Sequence, residues 1–75
     1  MSKLLRLSGR QLCSIVTKLG FIHTHTTGSH HVFKQADGRK TVIPVHANEE
    51  LGSGLLLKII KNDLQLSRDE FQKLL

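Results

Sequence analysis

Apolar residues first settle into a helical rhythm at Leu12, Ile15, Val16 and Leu19, one stripe along a single helix face. Ser8 and Gln11 stand three apart just before this stripe, the spacing of a capping box. Gly20 follows it, where a helix commonly stops, and Phe21 is placed to fold back on the helix it ends. The pattern predicts a first helix over residues 9–19. Then the period changes. "FIHTHTTG" is rich in β-branched residues and closes on Gly28, which predicts a strand. "SHHVFKQ" and "KTVIPVH" predict two more, joined by "ADGR", whose Asp37-Gly38 pair is a strong hairpin signal. Pro44 has no N–H for a ladder, so the third strand belongs at a sheet edge.

Beyond His46 the polar "ANEELGSG" leads to Leu55, Leu56, Ile59, Ile60 and Leu64, an amphipathic second helix with Ser53 as its expected cap. Ser67 and Glu70 form a second capping-box pattern, opening a short last helix through Phe71, Leu74 and Leu75. The order is helix, three-stranded antiparallel meander, helix, short helix. This is an α+β layout, expected to form one domain over residues 1–75.

Helices on one side of such a sheet leave its other side open. With Phe33 inward on the second strand, alternation draws Ser29 and His31 inward too and turns His30, Val32 and Lys34 outward. An inward Ile22 on the first strand would send His23 and His25 to the open side as well. That side then collects imidazoles and a lysine, a composition suited to handling anions.

Charge sharpens the expectation. Eleven Lys and Arg against six Asp and Glu give a net charge of +5 with histidines neutral, favouring a polyanionic partner. Cys13 is the one cysteine, so no internal disulfide and no cysteine-based zinc site can form; its helical position suits a small packing residue. The longest Leu/Ile/Val run, Leu55 to Leu57, is far too short to span a membrane. The opening "MSKLLRLSGRQL" lacks the apolar stretch of a signal peptide, so a cytoplasmic protein is expected.

Histidine is the side chain best matched to proton transfer near neutral pH. RNA supplies its own nucleophile in the 2′-hydroxyl, and its cleavage needs a base, an acid and positive charge at the phosphate. His23 and His25 offer a rival chemistry as a zinc-chelating pair, but no usual zinc spacing accompanies them. Neither Ser29 nor Cys13 has a nucleophile elbow around it, and no phosphate-binding glycine loop is present.

Gly28-Ser29-His30-His31-Val32-Phe33, followed by Asp37-Gly38-Arg39 and Val42-Ile43-Pro44, resembles the core motif of HicA-type toxins. "LLRLSGRQLCSIVTKLGF" is similar to that family's first helix, and "HANEELGSGLLLKIIKNDLQLSRDEFQKLL" to its second helix and tail. The likeness covers the chain from Leu5 onward. It implies a double-stranded-RNA-binding-domain-like α-β-β-β-α fold. It also implies a metal-independent, cofactor-free mRNA interferase whose HicB antitoxin covers the active surface. The family's catalytic histidine follows a small pair, here Gly28-Ser29, which makes His30 the candidate and His31 the second choice. Ser29, Lys34, Arg39, Lys40, Lys58 and Lys61 are the candidate RNA contacts; solvated surface is the plainer account of each lysine. Two departures stand out: a family glycine near Leu64 is missing, and Leu55-Leu56-Leu57 replace a more polar run. The competing class is a non-catalytic RNA-binding module of the same fold, which would bind phosphates and 2′-hydroxyls without cutting.

Overall fold

Ser8 closes its capping box with Gln11 in both directions, its Oγ accepting from the Gln11 N–H and its own N–H donating to the Gln11 side chain. In the computed structural model, which describes residues 6–47 and 49–75, this box starts helix α1, Gly9–Lys18. Leu5, where the family likeness begins, and Asn48 of the polar connection lie outside the described residues. Leu12 and Val16 are fully buried along the predicted stripe, and the Phe21 N–H returns to the Val16 carbonyl past Gly20.

Strands β1 (Ile22–Thr27), β2 (His30–Lys34) and β3 (Lys40–Pro44) form an antiparallel sheet in that order, with β2 central. Pro44 is on the edge strand, as expected. The Val45 N–H bonds back to the Ser29 carbonyl, so alternation along the ladder directs the Pro44 nitrogen away from β2. On its outer side the Pro44 carbonyl lies so close to α1 that a Cβ at Gly9 would sit 2.0 Å from it, a place only glycine can occupy. This contact fixes the start of α1 against the end of β3.

The second helical segment departs from expectation in two ways. Gly52, not Ser53, is the N-cap of α2 (Ser53–Lys58), and no side chain caps it. The helix then widens into a π-helical turn, Ile59–Asp63, where the Leu64 N–H reaches the Ile59 carbonyl. Inside this turn Asp63 accepts the hydroxyl of buried Thr41, while Ile59, Ile60 and Leu64 stay in the core. Gln65 takes a left-handed φ of 58°, and the Leu66 N–H bonds back to the Ile60 carbonyl. Helix α3, Arg68–Gln72, follows with the predicted Ser67/Glu70 capping box and buries Phe71.

One hydrophobic cluster joins α1, the α2–π segment and α3 to Phe21, Phe33 and Ile43 of the sheet region. This is the α+β, double-stranded-RNA-binding-domain-like arrangement the sequence called for. Among the described residues no helix is long and apolar enough to cross a membrane.

The open sheet face and its histidines

The site begins with a two-residue turn. Thr27 pairs with His30, leaving Gly28 and Ser29 between the strands, and Gly28 takes φ 59°, as the first position of a type II′ turn requires. Nothing lies within 4 Å of where a Gly28 Cβ would be, so the turn is open to a ligand backbone. The turn delivers His30 to the start of β2 between Thr27 and Pro44, exposed and with no hydrogen-bond partner among the described residues.

Register then sorts every other residue by face. Phe33 and Ile43 are core, so His30, Val32 and Lys34 turn to the face without helices, as alternation predicted. Val32 is nevertheless buried, at 7% exposure, because on the central strand it lies between His25 and Val42. The first strand corrects the expectation. Ile22 is 68% exposed rather than inward, and it pairs with Lys34 on the open face. A β-bulge between His23 and His25 inserts Thr24, which reverses the alternation. Only His25 therefore joins the open face, opposite Val32. His23 goes to the other face, hydrogen-bonded to Thr26 at 2.8 Å, stacked 5.3 Å from the His31 ring and tilted against the Phe33 ring at 5.2 Å. The pair read as a potential chelate is split across the sheet. Among the described residues no three His, Cys, Asp or Glu side chains converge as metal ligands.

His31, the second choice, faces away from His30 and is half-buried against His23. Lys34 and Lys40 pair across β2 and β3 on the open face, but not beside His30. Four steps of strand separate Lys34 from His30, roughly 13 Å. The face is a strip with imidazole at one end and two ammonium groups at the other. Lys58 shares a groove beside β3 with Lys40, Val42 and Leu55. Lys61 lies exposed in the π-helical turn. Of the leucine run, Leu56 is core, Leu57 is half-buried and Leu55 is 38% exposed in that groove.

Arg39 sits apart from these cations. Its Nε donates to Asp37 at 2.8 Å, another guanidinium nitrogen donates to the Leu64 carbonyl at 2.6 Å, and the group lies over the Phe21 ring. It braces the β2–β3 hairpin against the helices. Asp37 is held below the ordinary carboxylate range, first by the Arg39 backbone N–H and then by its side chain. Cys13 is half-buried and burial raises its thiol pKa, in keeping with a packing role.

One residue at the His30 end had no place in the sequence reading. His46 lies two residues beyond Pro44, and its Nε2 is 3.4 Å from Ser29 Oγ, seventeen positions back in the chain. Its signal was the final letter of "KTVIPVH", a histidine ending a strand, which has no meaning until the register sets it beside Ser29.

The sequence model for a family described as the HicA toxin of bacterial toxin-antitoxin matches residues 9–63. No curated protein matches the chain.

Proposed function

The chain belongs to the HicA toxin family of bacterial toxin–antitoxin systems, and from that premise we propose that it is an mRNA-cleaving endoribonuclease with His30 as its proton-transferring group. The observation that carries this reading is His30 itself, exposed on the open face beside the Gly28-Ser29 turn, its side chain without a hydrogen-bond partner among the described residues. An imidazole so placed can take the proton of a ribose 2′-hydroxyl, whose oxygen then attacks the adjacent phosphorus. The 5′-oxygen leaves, giving a 2′,3′-cyclic phosphate and a 5′-hydroxyl. Such a reaction needs proton transfer and positive charge alone, so it should persist in a chelator. Lys34 and Lys40 contact phosphates further along the strip, and Ser29, Lys58 and Lys61 extend the RNA surface. The partner is a HicB-like antitoxin, which silences the toxin by covering this face.

The test compares wild type with His30→Ala, in cells and with purified protein on RNA in the presence of chelator. Wild type should arrest growth and yield 5′-hydroxyl ends, and the variant should cut about 10²–10⁴-fold more slowly. Equal RNA decay by both proteins would remove His30 from the reaction. Tight, salt-sensitive RNA binding by wild type with no cleavage would instead support the non-catalytic module.

A further inference from the structure

Cleavage by this route moves two protons, one off the 2′-hydroxyl and one onto the departing 5′-oxygen. His30 accounts for one of them. We infer that His46 supplies the second, acting as general acid on the leaving oxygen opposite His30; the inference rests on the nuclease reading above.

Three observations on the backbone and side chains lead there. First, the register places the two imidazoles at the same end of the sheet. Pro44 pairs with His30, the Val45 N–H extends the ladder to Ser29, and His46 is the next residue. His46 stands one step past the last ladder bond, and its ring reaches Ser29, the residue before His30. Strand rise and spacing, carried over that step, put the two histidine Cα atoms about 8 Å apart, a gap two imidazoles can close around one phosphate. Second, the His46 ring is oriented. Its Nε2 faces Ser29 Oγ at 3.4 Å, while Nδ1 has no partner among the described residues. In the imidazolium both nitrogens carry hydrogen; Nε2–H is held by the serine oxygen and Nδ1–H is free to be given away. Fixing one nitrogen so that the other serves the reaction is how a partner selects a histidine tautomer. Third, the chain beyond His46 is held in a costly conformation. Ala47 has φ 44°, a left-handed value that its Cβ disfavours, and the Glu49 N–H closes a turn onto the His46 carbonyl. Strain in a non-glycine residue persists where its surroundings hold a geometry in place.

The step balances. The 2′-oxygen bonds to phosphorus as His30 takes its proton, the bond from phosphorus to the 5′-oxygen breaks, and His46 Nδ1–H passes to that oxygen. His30 ends protonated and His46 neutral, and exchange with water restores both. Ser29 is then a positioning residue, one position before the base and bonded to the acid.

The experiment uses the full chain and an RNA whose cleavage site has been mapped with wild type. A second substrate carries sulfur in place of the bridging 5′-oxygen at that site, because a thiolate departs without needing a proton. His46→Ala should cut the ordinary RNA about 10²–10⁴-fold more slowly than wild type, and most of the lost rate should return on the sulfur substrate. His30→Ala should be slow on both. Where His46→Ala fails to fold, as judged by circular dichroism, His46→Gln replaces it, keeping an amide nitrogen for Ser29 without a transferable proton. A His46 variant that cuts ordinary RNA at the wild-type rate, or that is equally slow on both substrates, overturns the inference and leaves His30 standing. A wild type that yields no mappable cleavage on any RNA overturns the nuclease reading and this inference together.

Discussion

The guanidinium of Arg39 is tied to Asp37 and to the Leu64 carbonyl, whereas the ammonium groups of Lys34 and its cross-strand partner Lys40 stand exposed on the open face. Cations that look alike in the sequence therefore separate by what their donors already hold. Removing Arg39 strands a part-buried carbonyl and frees a hairpin. Arg39→Ala should lower unfolding free energy by about 1–3 kcal/mol, seen as an earlier denaturant midpoint. Lys34→Ala and Lys40→Ala should leave that midpoint in place and act on RNA instead. Each should reduce the salt slope of binding by about 1 and raise KM with kcat nearly held, the mark of lost uniform binding. If the arginine variant keeps wild-type stability and loses RNA affinity, these assignments are reversed. The sequence alone could not make this division, because Leu64 lies twenty-five positions from Arg39.

Among the elements, the link between the π-helical turn and α3 carries a visible cost. Gln65 occupies a left-handed φ of 58° that suits glycine. A Cβ there costs about 1–2 kcal/mol, while glycine gives back about 0.5–1 kcal/mol through its freer unfolded chain. Gln65→Gly should therefore stabilise the protein by about 0.5–1 kcal/mol, read from chemical denaturation; a fall in stability would contradict the conformational account. Both capping boxes were legible in the sequence because each is a contact between residues three apart. The same holds for the α1 stripe, the hairpin glycine and the proline at the edge. The bulge at Thr24 was not, since it is defined only by what β2 presents opposite; reading Ile22 as inward sent His23 to the wrong face, and the bulge is what leaves His25 on the open one. The π-helical turn was hidden likewise, because Leu56, Ile60 and Leu64 keep a four-residue step through it. The exposure of His30 on the open face followed from alternation along β2, whereas the contact of His46 with Ser29 could not be read, because the two are neighbours only in space.

For the whole molecule, acid should be the direction of weakness. Glu70 is held below its ordinary range, chiefly by the Ser67 backbone N–H, and Asp37 by that of Arg39. Both bind fewer protons folded than unfolded. Their contribution is complete above the ordinary carboxylate range, near pH 4, and is lost as pH falls through the lowered folded values. Thermal midpoints should thus decline on acidification below about pH 5. Glu70→Gln should flatten part of that decline, since Gln11 makes the same capping bond in α1 without a charge. An unchanged acid limb in that variant would place the sensitivity elsewhere. The contact between Gly9 and Pro44 also bears on how copies of the chain meet. Sheet borders tend to recruit other backbones and seed fibrils. Here the border nearest His30 offers a nitrogen without hydrogen and a carbonyl already shielded by α1. Stacking into aggregates is disfavoured at the end of the sheet where the His30 imidazole is exposed.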